Sequence, residues 1–93
     1  MKTILVTGSS RGIGKAIAEL AHKKGYKVIV HGRTDSEELK KVHESLDGSA
    51  KAVFDVSDKE ATHEAIKGLG DIDVLVNNAG IARNFLKDVS EMD

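Results

Sequence analysis

The sequence contains no cysteine, no proline and no tryptophan, and only 3% of its residues are aromatic. Without cysteine the chain cannot form disulfides, thiolate metal sites or a cysteine nucleophile. It also lacks an excess of positive charge, because 14 basic residues are offset by 15 acidic ones and the net charge is -1. This balance gives no reason to expect a nucleic-acid partner or an anionic membrane surface.

Long hydrophobic runs are missing as well. The apolar run at residues 3–7 is too short for the core of a signal peptide, and no cleavage site follows it. No stretch approaches the roughly 20 apolar residues that a membrane-spanning helix needs. We therefore expect a cytoplasmic protein that starts at its own Met1.

Short apolar segments alternate with amphipathic segments along the chain. The apolar segments predict strands at residues 4–6, 28–30, 51–55 and 72–76. The predicted inward faces of the intervening helices are Ile13, Ala16, Ile17, Leu20 and Ala21 in the first, Leu39, Val42 and Leu46 in the second, and Ala61, Ala65, Ile66 and Leu69 in the third. Asp35 or Ser36 can cap the second helix, and residues 57–60 fit a capping box for the third.

This alternation predicts an α/β fold whose parallel sheet is covered on both faces. Right-handed crossovers and one change of direction give the strand order 3-2-1-4, the first half of a Rossmann-like doubly wound sheet, with three helices. The 93 residues allow one such domain, at 1–93. The apolar strand at 72–76 would be an edge, which natural proteins usually protect. We therefore expect a domain truncated before its second half, and an isolated chain that self-associates.

A glycine-rich turn joins the first strand to the first helix. Gly8, Gly12 and Gly14 allow a sharp turn and a close approach of phosphate oxygens to the backbone. The N–H groups of the helix's first turn then point at the phosphates. An ordinary tight turn is the alternative interpretation. The other common phosphate loop, G-x-x-x-x-G-K-[ST], does not fit, because Ser9 and Ala16 stand where it needs a glycine and a hydroxyl residue.

The end of the second strand indicates which dinucleotide binds. An NAD site usually has a carboxylate about 20 residues after the glycines. No acid occupies positions 31–34, whereas Arg33 can pair with a 2′-phosphate and Thr34 can donate a hydroxyl hydrogen bond. Arg11 can reach the same region, so we expect NADP(H) rather than NAD(H). Arg33 could instead be a solvated loop charge, and Asp35 keeps NAD(H) open.

Two further polar segments follow the third and fourth strands. Asp55 can accept a hydrogen bond from an adenine amino group, or it can be an ordinary turn residue. The segment 77–80, Asn-Asn-Ala-Gly, lies beside the predicted point at which the strand order reverses, where ligands bind in such sheets. Its asparagines can hydrogen-bond a ribose, although two asparagines could simply form a turn.

Three motifs together resemble the short-chain dehydrogenase/reductase family. Residues 7–14 resemble its T-G-x-x-x-G-I-G motif, residues 55–56 its adenine-contact pair, and residues 77–80 its N-N-A-G motif. The segments 9–11 and 81–84 look most like the 3-oxoacyl-[acyl-carrier-protein] reductases. The resemblance implies a cofactor site formed by Gly8, Ser10, Arg11, Gly12, Ile13, Gly14, Arg33, Thr34, Asp55, Val56, Asn78, Ala79 and Gly80.

The family's catalytic serine and its Y-x-x-x-K motif are not found in the sequence. Tyr26 is the only tyrosine, and Val30 stands four positions after it. We therefore predict no catalytic residue and no metal ligand here. The leading hypothesis is the NADP(H)-binding portion of an oxidoreductase that transfers hydride between a carbonyl and an alcohol, for example a 3-oxoacyl thioester, in a parent that is a homodimer or homotetramer. A stand-alone nucleotide-binding or structural fragment is the alternative; the spacing of Gly8, Gly12 and Gly14 does not fit a sugar-nucleotide epimerase.

Overall fold

A computed structural model describes residues 1–78 of the chain. Strands and helices alternate throughout this part. Their bounds are β1 Thr3–Val6, α1 Gly12–Lys23, β2 Lys27–Gly32, α2 Glu37–Ser45, β3 Ala50–Val53, α3 Lys59–Gly68 and β4 Val74–Val76. None of these helices is both long enough and apolar enough to cross a membrane.

The strands form one parallel sheet in the order β3-β2-β1-β4. This confirms the predicted Rossmann-like order and its three helices. β1 lies in the middle of the sheet, where Ile4 pairs with Val28 of β2 on one side and with Val74 of β4 on the other. Because all strands run the same way, the loops after them meet at one edge of the sheet.

The core consists of two layers, one on each face of the sheet. Alternate residues of β1 and β2 point to opposite faces, as the period of a strand requires. Val6 and Val30 pack in one layer with α1 and α2, represented by Ala18 and Leu39. The other layer contains Leu5, Ile29, Ala52 and Phe54, with α3 packed against it through Ala65, Ile66 and Leu69.

The predicted inward face of α1 is confirmed for Ile17 and Ala21 and is wrong for Ile13, Ala16 and Leu20. Ile13 and Leu20 are 73% and 55% exposed, and the residues of α1 that are buried are Gly14, Ala18 and Ala21. The reason is the short distance between this helix and the sheet. Only a small side chain fits where Gly14 of α1 passes close to the backbone at Gly8, and the larger Ile13 and Leu20 lie outside this contact.

The other helices match their predictions more closely. Ser36 caps α2 by accepting a hydrogen bond from the Leu39 N–H at 3.2 Å. The N-cap of α3 is Asp58, which accepts from the Ala61 N–H at 3.0 Å, rather than Ser57 as a capping box over 57–60 would require. Ser57 instead donates its hydroxyl to Asp55.

Candidate functional site

The candidate site lies at the carboxyl edge of the sheet, where four loops follow the four strands. The glycine-rich turn follows β1, and the segment that contains Arg33 follows β2. Asp55 follows β3, and Asn78 follows β4. The fold therefore brings to one edge all the predicted cofactor residues that the structure describes. The predicted residues Ala79 and Gly80 lie outside the described part of the chain.

Glycine is required at three positions of the turn, for two different reasons. Gly8 and Gly12 each have a φ of 63°, a left-handed conformation that residues with a Cβ rarely adopt. Gly14 is needed for space. A Cβ there would collide with the carbonyl oxygen of Gly8 and would lie 2.7 Å from Nδ2 of Asn78. Gly14 thus serves the packing of α1 on the sheet, while Gly12 leaves open space beside the turn.

The N-terminus of α1 differs from those of the other two helices. Its N-cap, Arg11, has extended backbone geometry, and within residues 1–78 no side chain caps the helix or places an acid in its first turn. α2 and α3 both have a side-chain cap and acidic first-turn residues. The first N–H groups of α1 are therefore available to an anion, and the helix dipole favours one there by roughly 0.3–1 kcal/mol.

The turn is attached to the end of β2 through His31, which is 2% exposed. The Ser9 N–H donates to the His31 carbonyl at 2.9 Å, and the His31 N–H donates to Ser9 Oγ at 2.8 Å. The imidazole forms two further contacts. Its Nδ1 lies 2.9 Å from the Gly8 nitrogen, and its Nε2 lies 2.7 Å from the Phe54 carbonyl oxygen.

This role of His31 was not predicted from the sequence. The sequence feature that could have indicated this role is the position of His31 at the end of a buried strand. In the period of a strand it shares a face with Ile29, so its ring must enter the layer that contains Phe54. The two rings lie 4.2 Å apart between centroids.

A cleft of about 260 Å³ lies between the glycine-rich turn and the end of β2. It brings together two of the predicted phosphate-binding residues, Arg11 and Arg33, with Thr34. The full lining is Ser10, Arg11, Gly32, Arg33, Thr34, Ser36 and Glu38. Both arginines therefore line one cleft, and Glu38 adds one negative charge to its wall.

Asp35, the residue that kept NAD(H) open, has a partner on the neighbouring strand. Its carboxylate lies 2.7 Å from Nζ of Lys51 in β3. The hydrogen bond from Lys51 holds the pKa of the Asp35 carboxyl below its ordinary value. One oxygen of this exposed carboxylate is therefore paired with a lysine, and a ribose hydroxyl would have to compete for it.

Asp55 is oriented by its own loop. One carboxylate oxygen accepts from the N–H and the hydroxyl of Ser57, at 2.9 Å and 2.7 Å. The other lies 3.4 Å from Nε of Arg33. The neighbouring Val56 packs against the hydrophobic layer that contains Phe54.

The loop after β4 is tied to the glycine-rich turn. Asn78 donates from Nδ2 to the Gly8 carbonyl at 3.2 Å, and the Thr7 hydroxyl donates to the Val76 carbonyl at 3.2 Å. The Asn78 amide therefore holds two loops of the site together. Ile13, by contrast, is exposed at the start of α1.

The chain is similar in sequence to known dehydrogenases and reductases. The chain is 46% identical over 85 residues to the serine 3-dehydrogenase of Rhizobium radiobacter, covering 86% of this chain and 34% of that protein. It is 43% identical over 86 residues to the 3-oxoacyl-[acyl-carrier-protein] reductase FabG of Rickettsia prowazekii, covering 91% of this chain and 35% of that protein. The chain thus spans about one third of the length of these relatives.

A solved structure and a family model also show similarity to short chain dehydrogenases. The crystal structure of a short chain dehydrogenase from Bacillus anthracis superposes with a TM-score of 0.74 at 30% identity, covering 83% of this chain and 35% of that one. The family model described as short chain dehydrogenase matches residues 2–93. The fold, the motifs and both comparisons lead to one conclusion: the chain belongs to the short-chain dehydrogenase family.

Proposed function

We propose that this chain is the NADP(H)-binding portion of a cytoplasmic short-chain oxidoreductase that transfers hydride between a carbonyl and an alcohol. The observation that carries the proposal is the distribution of charge in the glycine-rich turn and in the segment after β2. Arg11 and Arg33 line one cleft, whereas Asp35, the acid that would hold the ribose of NAD(H), is bonded to Lys51. A 2′-phosphate is the group that two guanidiniums in one cleft would bind.

The residues present fit a dinucleotide phosphate. The uncapped N-terminus of α1 offers backbone N–H groups, and Gly12 adds no side chain to the space beside them. In the proposal, Gly8, Ser10 and Ile13 surround the phosphates and the adenosine ribose. The remaining predicted residues would contact the 2′-phosphate, the adenine and the second ribose. They are Arg11, Arg33, Thr34, Asp55, Val56, Asn78, Ala79 and Gly80.

The bound nicotinamide would supply or accept the hydride. The 93 residues contribute binding and orientation, because they contain no Y-x-x-x-K motif that could protonate a carbonyl oxygen. The catalytic groups would therefore come from outside this sequence. The similarity to a 3-oxoacyl-[acyl-carrier-protein] reductase makes a 3-oxoacyl thioester the first substrate to assay in a longer protein that carries this chain.

The proposal is tested by calorimetric titration of the 93-residue chain with 2′,5′-ADP and with 5′-ADP. We expect tighter binding of 2′,5′-ADP. Arg33→Ala should weaken that binding roughly tenfold, the value of one charge-assisted hydrogen bond, and should leave 5′-ADP binding unchanged.

Lys24→Ala is the matched control, because it removes the same charge from the opposite edge of the sheet, at the end of α1. It should change neither affinity. An equal loss of both ligands in Arg33→Ala would show that the arginine does not recognise the 2′-phosphate. Failure of the chain to bind either ligand would overturn the proposed function.

A further inference from the structure

The imidazole of His31 has only one protonation state that satisfies both of its contacts. A backbone N–H can only donate, so Nδ1 must accept from Gly8 at 2.9 Å. A carbonyl can only accept, so Nε2 must donate to Phe54 at 2.7 Å. The ring is therefore the neutral tautomer with its proton on Nε2. It bridges the loop after β1 to the loop after β3.

We propose that His31 is the positioning residue of the cofactor turn, and that binding of the dinucleotide phosphates requires its neutral ring. This inference rests on the proposed function. When Nδ1 acquires a proton, two donors face each other at the Gly8–His31 contact, and the Gly8 N–H loses its acceptor. The turn that begins at Gly8 then loses the contact that fixes its first peptide. Three residues later the same turn leads into the open N-terminus of α1.

The surroundings of the ring favour the neutral form. Burial lowers the pKa of His31, and the hydrogen bond to the Phe54 carbonyl acts in the opposite direction with a smaller effect. The turn contributes the Gly8 N–H and the uncharged Ser9. The Phe54 ring, which follows β3, lies beside the imidazole. Ala65, Ile66 and Leu69 of α3 and its C-terminal end pack against the hydrophobic layer that contains Phe54. Arg33, two residues after His31, and Asp55, which follows Phe54, are paired with each other at 3.4 Å.

Two substitutions distinguish the role of Nδ1 as the hydrogen-bond acceptor for Gly8 from its role as the atom that takes up a proton. Asn places Oδ1 one bond from Cγ, as His places Nδ1, so His31→Asn keeps an acceptor for Gly8 that does not titrate. His31→Phe keeps a planar ring of similar size but offers no acceptor. A buried N–H without a partner should weaken 2′,5′-ADP binding roughly tenfold in His31→Phe, and His31→Asn should restore most of it.

The discriminating measurement is the affinity for 2′,5′-ADP between about pH 8 and about pH 5, the range in which histidine titrates. The ligand's own phosphates also titrate, with a pKa of about 6, and this contribution is common to all variants. We expect the wild-type affinity to fall more steeply with acid than that of His31→Asn. Identical pH profiles, or wild-type affinity in His31→Phe, would overturn the proposal.

A second measurement needs neither a ligand nor a variant. In the free wild-type chain, the NMR shift of the Gly8 amide should titrate with the same midpoint as the His31 ring. A Gly8 amide that does not respond would overturn the positioning role even if His31→Phe fails to fold. If the wild type binds no 2′,5′-ADP at about pH 8, the proposed function fails, while the Gly8 titration still decides whether His31 controls the turn.

Discussion

The Nε atom of Arg33 lies 3.4 Å from a carboxylate oxygen of Asp55, so an ion pair joins the end of β2 to the end of β3. The proposed cofactor would contact both residues, Arg33 through the 2′-phosphate and Asp55 through the adenine. Exposed ion pairs of this kind are worth only about 0.2–1 kcal/mol. A dianionic phosphate can therefore displace Asp55 from Arg33, but the carboxylate still opposes it.

Replacing the carboxylate should sharpen the preference for a 2′-phosphate. Asp55→Asn keeps an oxygen that can accept from Ser57 and removes the negative charge beside Arg33. We expect the ratio of the 5′-ADP to the 2′,5′-ADP dissociation constant to rise roughly two- to fivefold, the effect of about 0.4–1 kcal/mol of Coulomb energy in water. Asp58→Asn removes the same charge from the same loop and keeps a good helix cap, so it is the control. A similar rise in both variants would contradict the prediction.

The pair between Asp35 and Lys51 leads to a prediction about NAD(H). Lys51→Met retains the aliphatic stem but frees Asp35 to accept from a ribose hydroxyl. The preference for 2′,5′-ADP over 5′-ADP should shrink, as measured by competitive titration. Lys24→Met, which removes a lysine at the opposite edge of the sheet, should leave the preference unchanged. An unaltered preference in Lys51→Met would mean that Asp35 cannot reach the ribose.

The same variant has a consequence for pH dependence. Lys51 depresses the pKa of Asp35, so the pair contributes stability at neutral pH that is lost as the pH falls through the folded-state pKa. In Lys51→Met the pKa should return toward its ordinary value, and this acid-side loss should disappear. Carboxyl NMR titration measures the first effect and denaturant unfolding at several pH values the second.

Gly14 and Gly68 form a matched pair of helical glycines. A Cβ at Gly14 would collide with the Gly8 carbonyl, whereas a Cβ at Gly68 would have no atom within 4 Å. Gly14→Ala should destabilise the fold by about 1–3 kcal/mol, as overpacking does. Gly68→Ala should leave the free energy of unfolding unchanged or raise it by up to about 1 kcal/mol. Denaturant titration compares them, and equal effects would show that the approach of α1 to the turn is not tight.

The strand β4 lies at one end of the sheet, and its Leu75 is 52% exposed. Self-association of the isolated chain stays a prediction, and Leu75→Lys tests it. A charge on an edge strand opposes pairing with another sheet, so this variant should sediment at a lower mass than the wild type. Leu20→Lys replaces an equally exposed leucine on α1 and should have the smaller effect. The reverse order would place the contact on the helix.

The strand order, and with it the edge at which the candidate residues gather, could be predicted because it depends on alternation and spacing, which the sequence displays directly. The orientation of α1 could not be predicted from hydrophobicity alone. Its buried face consists of the small residues Gly14, Ala18 and Ala21, and it is selected by the distance to the sheet rather than by apolar area. A search for small residues at helical spacing would have found it.

The interactions between residues that follow different strands at the sheet edge could not be predicted from the sequence either. The partnership of Asp35 with Lys51, and that of Arg33 with Asp55, each join residues that are brought together only when β2 and β3 pair in register. The function of His31 depends on the same register, because its Nε2 reaches a carbonyl at the end of β3. Charge and periodicity predict that such residues exist at an edge, and the pairing of strands decides which of them meet.

The central place of β1 has a consequence for the order of events during synthesis. β1 leaves the ribosome before β4, and it needs neighbours on both sides. The partner on one side, at Asp73, comes 70 residues later, where its carboxylate accepts from the Thr3 N–H. Contacts so distant along the chain form slowly, because a long loop must close before they are gained. Until β4 has emerged, the nascent chain therefore carries an apolar strand with one open side, the form in which a chaperone would recognise it.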